Sequence, residues 1–186
     1  MLIVCIGGAR SGKSSFALEL AREHDTAHDP ATDRGGGVTF VATSPNLTDD
    51  PDLTERIAAH RAERPDTWRT IEETTELGDA LRRAGDDFVV VDCLTLWVSN
   101  LMWRGDTDAD IVRATDDAAG SAGERAATTV VVSNEVGGGV HPESDLGRRY
   151  RDLLGRVNQR WVARSDRALF LVAGRAIDLH DPRSLL

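Results

Sequence analysis

Short apolar runs alternate with longer amphipathic stretches along this chain. Such runs are typical of buried strands, and the sequence predicts strands at residues 2–6, 38–42, 68–71, 88–91, 129–132 and 168–172. Apolar positions with helical spacing predict helices at residues 14–23, 49–64, 77–83, 94–103 and 145–164. Strands separated by helices indicate an α/β fold, in which a mostly parallel sheet is flanked by helices and ligands bind at the carboxyl ends of the strands.

Three segments lack a strong pattern. Residues 24–37 carry Pro, Gly and Asp, which predicts a surface loop. Residues 106–127 are acidic and rich in alanine, which predicts either an exposed helix or a poorly ordered excursion. A polar tail is predicted after residue 172. Because no repeat or linker divides the sequence, a single domain over residues 1–186 is predicted.

Charge and cysteine usage exclude several classes of protein. The chain has 22 Lys and Arg against 31 Asp and Glu, a net charge of −9, which argues against nonspecific binding to nucleic acid or to an anionic membrane. No apolar stretch approaches the roughly 20 residues of a membrane-spanning helix. Cys5 and Cys93 both lie in apolar runs, so a reduced, cytoplasmic protein is the simplest interpretation.

The first strand leads into a glycine-rich segment that fits the pattern G-x-x-x-x-G-K-[ST]. Its residues are Gly7, Gly8, Ala9, Arg10, Ser11, Gly12, Lys13 and Ser14. In a loop between a strand and a helix, this pattern predicts a phosphate site built from backbone N–H groups and the helix dipole. Lys13, the single lysine of the chain, is expected to reach the β- and γ-phosphates, and Ser14 to ligate Mg²⁺. The alternative is a glycine-rich turn that binds no ligand.

Asp92 directly follows the apolar run at residues 88–91. A carboxylate at the end of a buried strand is expected to hold Mg²⁺, usually through water. The alternative is a cap for the helix predicted at residues 94–103, and the two roles are compatible.

Three further segments, together with the glycine-rich loop, resemble one family of enzymes. They are the Ala-Thr-Ser after the second strand, the stretch at residues 56–70 (RIAAHRAERPDTWRT), and residues 134–139 (NEVGGG) with 155–159 (GRVNQ). In this order they resemble the bifunctional adenosylcobinamide kinase/adenosylcobinamide-phosphate guanylyltransferases of cobalamin biosynthesis. The resemblance runs from about Leu2 to Gly174.

The resemblance implies two reactions at one nucleotide site. ATP or GTP first phosphorylates adenosylcobinamide. GTP then gives GMP to adenosylcobinamide phosphate through a guanylylated histidine, which releases pyrophosphate and forms adenosylcobinamide-GDP. The matching histidine is His60. The resemblance also implies a RecA-like P-loop fold and a homotrimer.

The residues alone leave the role of His60 open. A neutral imidazole can attack an α-phosphorus, and Arg61 and Arg64 could steady the triphosphate or the departing pyrophosphate. The alternative is a partly exposed helix histidine. Two competing functions also stay open: a small-molecule kinase without a covalent step, and a RecA-like regulatory or assembly module.

The resemblance places further nucleotide contacts after the second, third and fourth strands. They are Ala42, Thr43, Ser44, Arg61, Ala62, Glu63, Arg64, Glu72 and Asp92. Thr43 and Ser44 could donate to phosphate or form a turn at the strand end, and Glu72 could accept from guanine or be a surface charge. Glu135 could orient the substrate hydroxyl or the metal shell.

Two sets of side chains have both a functional and a structural interpretation. The helix at residues 145–164 carries a basic face formed by Arg148, Arg149, Arg151, Arg156 and Arg160. This face either contacts phosphate and corrinoid groups or is solvated with pairs such as Asp152–Arg156. The four tryptophans, Trp68, Trp97, Trp103 and Trp161, are expected in the core or at a subunit interface.

Overall fold

A computed structural model describes residues 1–27, 36–44 and 61–186. They contain a seven-stranded sheet in the order β3-β2-β4-β5-β1-β6-β7, parallel except for β7, which is antiparallel to β6. The strands are β1 (Leu2–Gly7), β2 (Val38–Ala42), β3 (Arg69–Glu72), β4 (Phe88–Asp92), β5 (Thr129–Asn134), β6 (Arg167–Val172) and β7 (Arg175–Asp178). The helices are α1 (Lys13–Ala27), α2 (Leu77–Arg83), α3 (Leu94–Arg104), α4 (Asp108–Gly123), α5 (Asp145–Arg164) and a 3₁₀ turn (Pro182–Leu185). The predicted α/β fold is confirmed.

Apolar side chains pack against both faces of the sheet. Val4, Val91 and Val131 face a core that includes the buried residues of α2 to α5. Their neighbours along the strands, among them Val90 and Val130, face the residues of α1. Successive side chains of a strand point to opposite faces, so this alternation fixes which face each strand-end residue occupies.

Burial also raises the pKa of both thiols, that of Cys5 to about 12 and that of Cys93 to about 11, where the charge of Asp92 adds to the effect. Neither cysteine is therefore a nucleophile at neutral pH. Among the described residues, no helix is both long and apolar enough to cross a bilayer.

Two of the weakly patterned segments are more ordered than predicted. Residues 24–27 continue α1, and the rest of the predicted loop up to residue 35 lies outside the described residues. Residues 108–123 form α4, whose buried face consists of Ile111, Thr115, Ala118, Ala119 and Ala122. A capping box between Thr107 and Asp110 starts the helix. The small side chains let α4 lie close to α2 and α5. The helix alternative of the prediction is therefore confirmed, whereas the expectation that this segment is exposed was wrong for one face.

The basic face of α5 is paired with the acidic face of α4. Arg149 donates to Asp108 at 2.7 Å, and Arg160 donates to both carboxylate oxygens of Asp116 at 2.8 Å. Asp152 pairs with its neighbour Arg151 rather than with Arg156. Each exposed pair of this kind contributes little to the free energy of folding. The pairs nevertheless show that these arginines of α5 have acidic partners within the protein, a structural role that the sequence left open beside ligand binding.

The chain after β6 is not a featureless tail. β7 forms a hairpin with β6, and every residue of β7 is exposed. Trp68, Trp97 and Trp161 are buried as predicted, whereas Trp103 is 85% exposed.

Candidate functional site

The glycine-rich segment forms the turn between β1 and α1. Arg10 and Gly12 have positive φ values of 55° and 95°, a conformation that costs glycine least. The amide of Phe16 donates to the Gly12 carbonyl at 2.9 Å and so closes the first turn of α1. Lys13 is 7% exposed, and its Nζ donates to the Gly8 carbonyl at 2.8 Å. The ammonium group therefore lies over the loop that is predicted to bind phosphate.

Gly7 is required by the packing of the sheet. A Cβ atom there would lie 2.4 Å from the Leu171 carbonyl oxygen of β6 and 2.7 Å from Ser11 Oγ. At Gly8 a Cβ atom would meet nothing within 4 Å. The first two glycines of the motif therefore have different roles, and only Gly7 is sterically enclosed by the protein.

We expect Gly7→Ala to lower the free energy of unfolding by about 1–3 kcal/mol, the usual cost of overpacking, because the obstacle is backbone. Gly8→Ala is the matched control and should change stability by less than about 1 kcal/mol. Urea unfolding followed by circular dichroism measures both variants. Equal stability of the two would contradict this assignment.

The hairpin turn between β6 and β7 contacts the glycine-rich loop at residues 7–14. Ala173 and Gly174 both have positive φ, 50° and 72°, as in the tight turns that join antiparallel strands. The Gly174 amide donates to the Ser11 carbonyl at 2.9 Å, and the Gly174 Cα would lie 3.2 Å from a Cβ atom on Gly12. This contact joins residues more than 160 positions apart and was not predicted from the sequence. Its local signal is the Ala-Gly pair between two short apolar stretches.

The carboxyl ends of β3, β2 and β4 lie in one row along the edge of the sheet that also carries the glycine-rich loop. Ala42 is in register with both Glu72 and Asp92. The alternation along each strand places all three on the face that packs against α1. Strands in a sheet lie about 4.8 Å apart, so Asp92 is roughly 10 Å and Glu72 roughly 19 Å across the sheet from β1.

The Thr43 hydroxyl bonds to the backbone of Cys93. Thr43 is fully buried, its Oγ donates to the Cys93 carbonyl at 2.8 Å, and it accepts from the Cys93 amide at 2.7 Å. Asn100 Nδ2 donates to the Thr43 carbonyl at 2.8 Å and so holds the same strand end. Of the two roles left open by the sequence, the structural one is observed: the Thr43 hydroxyl joins the ends of β2 and β4. The neighbouring Ser44 Oγ is buried and has no hydrogen-bond partner in the described part of the chain.

Arg61 and Arg64 both contact the outer strands. Arg61 donates to Glu72 Oε1 at 2.6 Å. The Arg64 guanidinium lies 4.2 Å from the centre of the Phe40 ring and donates to Thr70. Burial and the neighbouring Arg61 lower the pKa of Arg64, while Asp92 and Glu72 oppose that effect. Ala62 and Glu63, between the two arginines, are exposed.

Asp92 and Ser14 are suitable ligands for Mg²⁺. Both offer hard oxygen donors, and Mg²⁺ in nucleotide sites is commonly bound by one or two such groups together with phosphate oxygens. Asp92 is partly exposed at the carboxyl end of β4, and Ser14 is partly exposed in the first turn of α1. The described residues contain no cluster of three His, Cys, Asp or Glu side chains that would hold a metal without a nucleotide.

His60 lies outside the described residues, as does most of the helix predicted at residues 49–64. Its neighbour Arg61 is described. Because Arg61 contacts Glu72 and Arg64 contacts Phe40, the chain that directly follows His60 is attached to the α1 face near the carboxyl ends of β2 and β3.

A groove between α2, α4 and the end of α5 belongs to the opposite edge of the sheet. Arg125 in this groove donates to the Leu81 carbonyl at 2.8 Å and to Thr129 at the start of β5. Arg82 donates to Ser121 at 2.8 Å. Because these guanidinium groups join elements of the fold, the groove is structural rather than a second candidate site.

Comparison with known proteins agrees with the resemblance seen in the sequence. A family profile described as cobinamide kinase / cobinamide phosphate guanyltransferase matches residues 3–179. The bifunctional adenosylcobalamin biosynthesis protein CobP of Pseudomonas aeruginosa is 38% identical over 94% of this chain and 94% of its own length. The proteins named CobU of Escherichia coli and Salmonella typhimurium are 34% and 36% identical over 96% of this chain and 99% of their own lengths. The chain therefore belongs to the family of P-loop cobinamide kinases and cobinamide phosphate guanylyltransferases.

Proposed function

We propose that this protein phosphorylates adenosylcobinamide with ATP or GTP and then transfers GMP from GTP to the resulting phosphate, which gives adenosylcobinamide-GDP and pyrophosphate. Relatives that match over nearly their whole length carry names of bifunctional adenosylcobalamin biosynthesis proteins. The observation that carries the proposal is the loop at residues 7–14, which curls between β1 and α1 with the Lys13 ammonium held over it.

In the phosphoryl transfer, the substrate hydroxyl oxygen attacks the γ-phosphorus, the bond to the β-phosphate oxygen breaks, and the hydroxyl proton leaves with the diphosphate or to solvent. Lys13 supplies positive charge next to the oxygens on which negative charge develops. Ser14 and Asp92 would hold Mg²⁺, which when bound neutralises charge on the β- and γ-phosphates. The remaining loop residues bind the phosphates through backbone N–H groups.

In the guanylyl transfer, a neutral ring nitrogen of His60 attacks the α-phosphorus and pyrophosphate leaves. An oxygen of adenosylcobinamide phosphate then attacks the same phosphorus, the phosphorus–nitrogen bond breaks, and the free imidazole returns. The hydrogen bond from Arg61 to Glu72 supports this role, because Arg61 directly follows His60 in the chain and Glu72 ends β3 at the carboxyl edge of the sheet. Arg61 and Arg64 would balance the charge of the triphosphate.

The outer strand ends are proposed to bind the nucleoside. Glu72 has a carboxylate that can accept from the N1 and N2 groups of guanine, and it is 40% exposed beside Arg61. Ala42, Ser44, Ala62 and Glu63 are proposed to contact the nucleotide between this carboxylate and Asp92. Thr43 supports this region by joining the ends of β2 and β4 through its hydroxyl group.

Two labels on GTP test the proposal. With γ-labelled GTP, label should pass to adenosylcobinamide. With α-labelled GTP, acid-labile and base-stable label should appear on the protein and then move to adenosylcobinamide phosphate. Transfer of the γ-label alone would favour a kinase without a covalent step. Absence of both transfers would overturn the proposal and favour a nucleotide-dependent regulatory module.

We further propose a cytoplasmic homotrimer. Two free thiols, of which Cys5 is buried, support a reducing compartment. The 85% exposed ring of Trp103 supports an interface between subunits. Sedimentation velocity would measure the assembly, and a monomeric mass at micromolar concentration would contradict it.

A further inference from the structure

Asn134 lies between the two groups that define the phosphate site. It is the last residue of β5, the strand between β1 and β4, and it is in register with Gly7, where the phosphate loop begins. The following amide, that of Glu135, donates to the Gly7 carbonyl at 3.1 Å. Val130 and Val132 of β5 pack toward α1. By strand alternation the Asn134 side chain occupies the same face as Asp92.

The backbone of Asn134 is fixed on both sides. Its amide donates to Thr95 Oγ at 3.1 Å, at the start of α3. Its carbonyl accepts from Asn158 Nδ2 at 3.0 Å, and Asn158 is itself held by Ser133 Oγ at 2.6 Å. These contacts tie the end of β5 to α3 and α5, so the Asn134 side chain extends from a rigid position.

The Asn134 side-chain oxygen has no such partner. Oδ1 is buried, and no described residue donates a hydrogen bond to it. Buried polar atoms are nearly always paired in folded proteins, and an exception needs a specific explanation. Here the unpaired atom belongs to a side chain on the α1 face, between the phosphate loop and the proposed metal ligand Asp92.

The chemistry of an amide oxygen limits what can pair with it. It accepts hydrogen bonds and donates none, so it gains nothing from the oxygens of a triphosphate. A hydroxyl group or a metal-bound water beside the terminal phosphate can donate to it.

We propose that Asn134 Oδ1 accepts a hydrogen bond from an O–H group at the γ-phosphate and so orients the group that takes part in phosphoryl transfer. This inference rests on the proposed kinase function. An amide oxygen is too weakly basic to remove the proton, so its role is orientation alone.

A pair of variants that differ by one oxygen tests the proposal. Asn134→Ala removes the acceptor, and Asn134→Ser restores an oxygen in nearly the same volume. We expect the rate of γ-phosphoryl transfer to adenosylcobinamide to fall about 10- to 100-fold in the alanine variant, and the serine variant to be at least about fivefold faster than alanine. Affinity for a fluorescent GTP analogue should change less than about threefold in both. Arg113→Met, which removes an exposed ion pair with Asp110 on α4, is the control, and it should leave the transfer rate unchanged.

The two possible donors are separated by further readouts. If the donor is the substrate hydroxyl, Asn134→Ala should slow phosphoryl transfer and leave protein guanylylation unchanged. If it is a water on Mg²⁺, the Mg²⁺ concentration for half-maximal rate should rise several-fold and both reactions should slow. Equal transfer rates in the wild type and both variants, or a loss confined to nucleotide affinity, would overturn the proposal. Because the wild type is assayed in parallel, failure of the proposed kinase function would appear there and not only in the variants.

Discussion

Replacement of Lys13 by methionine is expected to lower the rate of phosphoryl transfer about 10³-fold, equivalent to about 4 kcal/mol of transition-state stabilisation. The ammonium is 7% exposed and held over the phosphate loop by the Gly8 carbonyl. Methionine keeps an unbranched side chain and removes the ammonium group with its charge and its hydrogen bond to the Gly8 carbonyl. Guanylyl transfer should also slow, because the same loop holds the β- and γ-phosphates of GTP. Single-turnover transfer from γ-labelled GTP measures the first effect.

Arg113→Met is a matched control, because it removes one positive charge from an exposed ion pair on α4. It should leave both reactions within about twofold of the wild type. Lys13→Arg should restore little of the rate, since a planar guanidinium does not replace a compact ammonium in a confined loop. Near wild-type transfer by the methionine variant would show that the lysine is not part of the machinery.

His60→Ala is the second large effect, and it should separate the two reactions. Guanylyl transfer and protein-bound GMP should fall to background, because no nucleophile is left to attack the α-phosphorus. Phosphorylation of adenosylcobinamide should stay within about threefold of the wild type, because the phosphate loop is intact. Labelling of the protein with α-labelled GTP measures the loss directly. His180→Ala, an exposed histidine in the last residues of the chain, should label normally.

Two additional readouts distinguish a nucleophile from a structural histidine. Added imidazole should restore some pyrophosphate release in the His60→Ala variant. In the wild type, guanylylation should be lost at acidic pH, because a protonated imidazole has no free electron pair on either ring nitrogen. Normal labelling of the His60→Ala protein would remove the covalent route and leave the phosphate site in place.

Sequence reasoning was most successful where the relevant residues are contiguous. Strand, glycine-rich turn and helix follow one another at residues 2–27, so the phosphate loop was visible before any contact was known. α5 was predicted with its observed bounds, Asp145–Arg164, because large apolar residues recur on one side. α4 was missed as a packed helix because alanines carry a weak hydrophobic signal even when they are fully buried. β7 was missed because all of its positions are exposed.

The parts of the site that depend on distant residues were not accessible from the sequence. Whether the Thr43 hydroxyl faces a ligand depends on the backbone of Cys93 in another part of the chain. That Gly7 must lack a side chain depends on a carbonyl in β6. The unpaired oxygen of Asn134 follows from the position of three strand ends, and no pattern of residue types around it predicts that arrangement.

The contact between Gly174 and Ser11 has a consequence for synthesis on the ribosome. Residues 7–14 leave the exit tunnel before the turn that supports them, because that turn lies about 160 residues later in the chain. A nascent chain that stops before residue 174 has the complete sequence motif without the amide that holds the Ser11 carbonyl. Tight capture of GTP should therefore begin only after residue 174 has left the tunnel, and a polypeptide truncated before that residue would not sequester the nucleotide.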